Sequence, residues 1–374
     1  MTVRIGHFMP ESPFLSFTAG VFEEAAPGAN TFVLHSVYTD LARHSLPSSL
    51  PVYTVVPDEA GYALAADVLG DCDIAVFHSM GGFAAQVLLS LPAGAQKVWS
   101  GWGGDYYGRS VWPTSGLLGP LTARWERRRM TLPGRIVRMR RNLIGSRPLA
   151  PAARAADFFS APIPDDFAVF RRRFPGFRGR YAQLNYASLE DSFTTARDVT
   201  GDDILVGNSS APPGNHLEVF DALARAGTDG RRVIAPLSYG DPSYADVVAE
   251  RGESLFGSDF VALREFMPLN EYQEIIAGCG VVVMGHRRQQ AIGNVAIALY
   301  SGARVILDDR SPLTSFLRRE GAVVDTLGGL MRDGLPAAPL AADQRAANRA
   351  MLAEFWGRDV VVDNVRALIA AAQP

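Results

Sequence analysis

Residues 204–218, ILVGNSSAPPGNHLE, decide how the rest of the chain is read. A short apolar run ends in Gly207-Asn208-Ser209-Ser210. A Pro/Gly loop follows, and Asn215 then opens an amphipathic pattern of Leu217, Phe220, Leu223 and Ala224. Asn215 can cap the first turn of a helix, and Glu218, three residues on, suits the return half of a capping box. The stretch therefore reads as strand, polar loop and helix start. In open α/β sheets ligands bind at the carboxyl ends of strands, where loop amides and helix N-termini favour anions. An ordinary strand-to-helix connection has the same local signature, so the neighbouring segments have to separate the two.

Downstream the pattern repeats. Apolar strand patterns lie around Val233, Val261, Val281 and Arg304, and they alternate with helical patterns. Gly302 ends one of these helices in the manner of a C′ glycine. The first half behaves similarly, with strand patterns near Val3, Thr31, Val52, Asp73 and Lys97 separated by helical ones. Alternation of this kind predicts a mostly parallel, doubly wound α/β sheet in each half. The expected organisation is a first domain over 1–198, a second over 199–340, and helices over 341–374 that pack back on the first domain.

Between Ser110 and Pro148 the alternation breaks. Arg124, Arg127, Arg128, Arg129, Arg135, Arg138, Arg140, Arg141 and Arg147 stand against Glu126 as the sole acid. Trp112, Trp125, Met130, Ile136, Met139, Leu143 and Ile144 are interleaved with them. A basic, partly amphipathic insertion in the first domain suits an anionic bilayer surface or a diphosphate headgroup, here through the Arg124–Arg141 region. The plainer reading is a solvated helical insertion. Nucleic acid is disfavoured, because no recognition module appears and the chain as a whole carries a net charge of −3.

At 374 residues the chain exceeds most single cores. Hydrophobic content of 48% and charged content of 20% fit a globular protein. Its two cysteines, Cys72 and Cys279, form neither a disulfide framework nor a metal-ligand spacing. MTVRIGHFMP enters a strand pattern directly, without the apolar core of a signal peptide. Together these features predict a cytoplasmic protein, at most peripheral to a membrane.

Four loops of the second half fall at carboxyl ends of expected strands: 207–210, 238–241, 265–268 and 285–290. Arg287 and Arg288 precede a helix whose first turn is polar and whose interior is small. Free amides with a guanidinium beside them make a diphosphate site. Gly293, inside that helix, suggests close approach by a ligand or a neighbouring element.

GNSSAPPGNHLE, APLSYGDPSYADVV, EFMPLNEYQEIIAGC and above all RRQQAIGN resemble the bacterial 4-acetamido-4,6-dideoxygalactose (Fuc4NAc) transferase family of enterobacterial common antigen synthesis, glycosyltransferase family 56. SGWGGDYYG in the first half resembles that family's Trp-Gly-x-Asp-x-Tyr segment. The resemblance covers most of residues 200–327 and islands of the first half. It implies a GT-B enzyme, with two Rossmann-like domains facing a cleft, that works without a metal or other cofactor. The donor would be a dTDP-activated 6-deoxy amino sugar, bound by the second domain. The acceptor would be a polyprenyl-diphosphate-linked saccharide at the inner face of the bacterial inner membrane, bound by the first. Carried over by position, Asn208, Ser209 and Ser210 would contact phosphate or sugar, with Tyr239 near the same crevice. Arg288, Gln289, Gln290 and Asn294 would hold the diphosphate and sugar, and the backbone around Phe266 and Met267 the base. An inverting mechanism also needs a general base. The candidates are Asp105, Glu11 and His7, with His78 behind them, and Asp105 leads because it follows a Gly-rich loop in the resembling segment. Other readings are a nucleotide-sugar 2-epimerase of the same fold and a non-catalytic nucleotide-sugar-binding protein.

Overall fold

The computed structural model describes residues 3–35, 46–107, 116–129, 131–193, 197–336 and 339–373. These form two compact units, each woven from separate lengths of chain. The first comprises Met1–Val111, Ile136–Asp191 and Trp356–Pro374, and the second Trp112–Arg135 and Ser192–Phe355.

In the first unit the strands are β1 (Ile5–Pro10), β2 (Asn30–His35), β3 (Val52–Val55), β4 (Ile74–His78), β5 (Gln96–Ser100), β6 (Phe158–Ser160) and β7 (Arg180–Tyr181). They make one sheet in the order β3-β2-β1-β4-β5-β6-β7, parallel at every pairing. The second unit holds β8 (Ile204–Val206), β9 (Val233–Pro236), β10 (Phe260–Leu263), β11 (Val281–Met284), β12 (Arg304–Leu307) and β13 (Asp325–Thr326). Their order is β10-β9-β8-β11-β12-β13, again all parallel. The central strands are short Val/Ile/Leu runs because helices cover both faces, leaving no polar side to alternate with. In both sheets the strand order reverses beside the first strand of the unit, where doubly wound sheets open a crevice at their carboxyl edge.

The tail divides between the units. Helix Ala342–Trp356 stays with the second, where Asn348 accepts from Val323 N at 2.7 Å. Helix Arg358–Ala372 lies against Leu15–Ala25 of the first and buries Val361, Val362, Val365 and Leu368.

The basic insertion divides too, which corrects its placement in the first domain. Helix Pro120–Arg129 packs on helix His216–Ala226, and Leu121 and Trp125 join the second unit's core. Its arginines are unequal. Arg129 bonds Glu126 at 2.8 Å and Asp241 at 2.6 Å, with its guanidinium 4.5 Å from the Trp125 ring centre. Trp112 and Met130 lie outside the described residues. The following helix, Leu132–Ser146, leaves Ile136, Val137, Met139 and Ile144 exposed.

Candidate functional site

At the carboxyl edge of the second sheet, two loops cross on glycine. Gly207 has φ +72°, and a Cβ there would lie 2.3 Å from His216 Nε2. Gly240 has φ +124°, and a Cβ there would lie 2.7 Å from Ser210. Only glycine tolerates both the backbone conformation and the approach. The crossing is held by Ser210, whose N–H and Oγ–H donate to the Tyr239 carbonyl at 2.8 and 2.9 Å. Asn208 Nδ2 donates to Tyr239 Oη at 2.9 Å. Asn208, Ser209, Ser210 and Tyr239, read from two separate loops, are thus one cluster.

The expected capping box is absent. Asn215 adopts the left-handed conformation (φ 52°, ψ 39°) and makes no cap bond. Its buried amide joins three segments instead. Oδ1 accepts from Gly119 N at 2.8 Å, and Nδ2 donates to the carbonyls of Gly285 at 2.7 Å and Leu117 at 3.0 Å. Glu218 turns outward to accept from Thr122 N at 3.0 Å and Thr122 Oγ at 2.6 Å. A distant segment offered both side chains more partners than the local turn could. Arg287 is likewise spoken for: it bonds Asp308 at 2.9 Å and the Leu118 carbonyl at 2.7 Å, with its side chain buried. It fixes the loop and is not a surface cation.

Past Arg287 lies a different environment. His286 is buried and its Nδ1 has no hydrogen-bond partner among the described residues. Burial, then the His216 ring and the Arg288 charge, pull its pKa down to about 3, so it stays neutral at ordinary pH. The Gln290 side-chain oxygen and Asn208 Oδ1 are also enclosed without a partner among the described residues. Buried polar atoms cost free energy when left unpaired, and native structures keep few of them. Ala291 then sits in the left-handed region at φ 59°, directly before helix Ile292–Ser301, whose first turn carries no side-chain cap. Strain of this kind in a non-glycine residue gathers at ligand sites. No described atom lies within 4 Å of where a Cβ on Gly293 would go, so no neighbouring element explains that glycine, and the space above the turn is open. Asn294 is half-buried on the same turn, and Gln289 is buried beside it. Met267 is half-buried, whereas Phe266, in the loop after β10, is 85% exposed.

The first unit treats its three nominated residues differently. His7 is enclosed within the sheet layer, its ring stacked 4.3 Å from Phe32 and edge-on to Phe22. Nε2 meets Asn30 Oδ1 at 3.1 Å and Nδ1 meets His78 Nε2 at 3.0 Å, while burial pulls its pKa down to about 4. With both nitrogens used inside the core, His7 has no route to a substrate. Asp105 is an organiser of backbone. Its carboxylate accepts from Trp99 Nε1 at 2.8 Å, Met80 N at 3.1 Å and Trp102 N at 3.1 Å. Burial raises its pKa, and those donors oppose the rise. Glu11 follows the end of β1, half-buried at the sheet's carboxyl edge. The sequence reading missed Asp166, buried between the hydroxyls of Tyr106 and Tyr107, the latter 2.5 Å away. Burial pushes its pKa up to about 7 against those two donors. The DYY of the first-half segment was the available signal, but nothing in it points sixty residues ahead.

Residues 173–328 match the family described as 4-alpha-L-fucosyltransferase, glycosyl transferase group 56. Solved structures resemble the whole chain. Anabaena HepE in complex with UDP-glucose is 11% identical with a TM-score of 0.64, over 98% of this chain and 99% of that one. The lipopolysaccharide outer core galactosyltransferase WaaB in its apo form is 10% identical with a TM-score of 0.62, over 99% and 100%. Trehalose 6-phosphate synthase from Burkholderia multivorans is 13% identical with a TM-score of 0.58, over 100% of both chains. At such identities the likeness concerns the fold.

Proposed function

We propose, from the premise that this chain belongs through residues 173–328 to the group 56 glycosyltransferases and has the GT-B fold, that it moves a 6-deoxy amino sugar, Fuc4NAc or a close relative, from a dTDP donor to a polyprenyl-diphosphate saccharide. One observation carries the donor half of this reading. Asn208 Oδ1 and His286 Nδ1, in the loops after the adjacent strands β8 and β11, and Gln290 Oε1 are buried without a partner among the described residues, and the second loop leads into a helix start with open space at Gly293. Sugar hydroxyls can donate to the two amide oxygens, and the donor's diphosphate would lie at the helix start. Its charge would face the amides of helix Ile292–Ser301 and the Arg288 guanidinium, both fixed before reaction, which lowers the cost of the developing negative charge without requiring a metal. Neutral His286 and the side-chain oxygens of Gln290 and Asn208 would meet sugar hydroxyls. Phe266, 85% exposed, would cover the base. Titration with dTDP tests this: Arg288→Ala should weaken nucleotide binding roughly ten- to a hundredfold, the worth of a charge-assisted contact. Unchanged affinity would place the diphosphate elsewhere.

For deprotonating the acceptor hydroxyl, the group proposed is Glu11, half-buried at the carboxyl edge of the first sheet. The acceptor's lipid brings the protein to a membrane. No helix among the described residues is long and apolar enough to cross one, so the contact proposed is peripheral. Helix Leu132–Ser146 suits it, with exposed Ile136, Val137 and Ile144 and no acid between Glu126 and Asp157. Replacing exposed Arg128, Arg140 and Arg147 by Gln should lower binding to phosphatidylglycerol vesicles by about two orders of magnitude, at about 1 kcal/mol per charge. Equal sedimentation of the variant and the parent would return the segment to a solvated role.

A further inference from the structure

We infer that Phe14, Trp102 and Tyr186 form an aromatic platform that stacks on one face of a pyranose ring of the acceptor. This deepens the glycosyltransferase reading and rests on it. The three rings come from loops after β1, β5 and β7, and parallel strands put all three loops on the same, carboxyl edge of the first sheet. They meet as a cluster, with ring centres 5.3 Å apart for Phe14 and Trp102, 5.0 Å for Phe14 and Tyr186, and 5.7 Å for Trp102 and Tyr186.

Core packing accounts for only part of this group, since Trp102 packs on the cluster of Met9, Leu15 and Phe32. Phe14 is 37% exposed and stands at the N-cap of helix Leu15–Ala25, where it makes no cap bond. A serine or aspartate there would stabilise the helix, so the phenylalanine forgoes stability at that position. Trp102 Nε1 and Ser12 Oγ are enclosed without a hydrogen-bond partner among the described residues. The cluster therefore combines apolar ring faces with enclosed polar atoms that have no partner among the described residues. A pyranose has the matching chemistry: a face of axial C–H groups, bordered by hydroxyls that can accept from an indole N–H. A lipid tail would leave the polar atoms unsatisfied.

Asp105 gains a role from this arrangement. By accepting from Trp102 N and Trp99 Nε1 together, it sets the loop that presents the Trp102 ring. It is a positioning residue for the platform.

The test is saturation-transfer NMR on the full chain with methyl glycosides of glucose, N-acetylglucosamine and glucuronic acid as probes. At least one probe should show transfer concentrated on the protons of a single ring face. Trp102→Ala and Phe14→Ala should each reduce that transfer at least fivefold, and Trp102→Phe should keep most of it. Phe14→Ala, at an exposed edge, guards against a Trp102→Ala variant that fails to fold. Absence of transfer from every probe to the parent protein would overturn the platform, as would transfer unchanged in the two alanine variants. In activity assays the same variants should raise acceptor KM about tenfold with donor KM within twofold. Binding of dTDP to the second unit is read separately, so failure of the platform and failure of the donor assignment give different results.

Discussion

Lowering the pH from 6.5 to 5.5 is expected to drop the melting temperature by roughly 4 °C. His7, His78, His216 and His286 are buried, and burial is the first cause that lowers each pKa: to about 4 for His7 and His216, about 3 for His286, and well below 6.5 for His78. Below pH 6.5 the unfolded chain protonates these rings while the folded one does not. The unfolded state then binds more protons, and each ring removes about 1.4 kcal/mol of stability per pH unit until its folded pKa is reached. Asp166, raised to about 7, and Asp105, also raised, act in the opposite sense, since as pH falls they take up protons first in the folded state. Asp166 thereby offsets about one of the four histidines, and Asp105 acts in the same direction. The remainder, roughly 3 kcal/mol per pH unit, is a large share of a total near 5–15 kcal/mol. Above pH 6.5 the histidine contribution is flat. Scanning calorimetry from pH 8 to 5 reads it directly, and a constant melting temperature across that range would refute the buried-neutral assignment.

The second large effect is expected from Asn215→Ala. Removing that amide strands Gly119 N and the Gly285 and Leu117 carbonyls in a buried place, and it leaves alanine in a left-handed conformation. At about 1–3 kcal/mol for each stranded group, partly relieved by relaxation, the second unit should lose about 4 kcal/mol in urea unfolding. Asn215→Gly isolates the backbone part, because glycine accepts the conformation but makes none of the bonds, and it should recover only about 1 kcal/mol. Nucleotide affinity should fall with stability in both variants, since Gly285 leads directly into His286 and Arg288. A loss below 1 kcal/mol for Asn215→Ala would mean the amide is incidental.

What could be read in the sequence divides along a physical line. The alternation of short apolar runs with helical patterns is local, and β11 and β12 fall where Val281–Met284 and Arg304–Leu307 announce them. The loops of the donor edge follow, because their position depends only on strand ends. The glycines are legible as well, since Gly207 and Gly240 are needed for a crossing that no other residue permits. Contacts between remote segments are not. Asn215 and Glu218 carry a good capping signature, yet both are captured by residues 117–122, and no local rule ranks that competitor. Arg287 and Arg288 are indistinguishable as neighbouring letters, and only the fold shows Arg287 bonded to Asp308. His7 in the first strand and Asp105 after a Gly-rich loop both look catalytic until the partners that occupy them are seen.

The weaving of the two units has a consequence for how the chain is made. Gly119 and Thr122 leave the ribosome some ninety residues before Asn215 and Glu218, the partners that hold them. The first unit waits longer still, because Arg358, which bonds Glu24 at 2.7 Å, and the helix it begins are translated 334 residues after that partner. Neither half can close its core while the other is being synthesised, so the usual vectorial order of one finished domain followed by the next is denied to it. Pro120–Arg129 must stay uncollapsed with Leu121 and Trp125 in water for that interval. Its run of arginines is then useful before any substrate is met, since like charges keep a waiting apolar helix soluble.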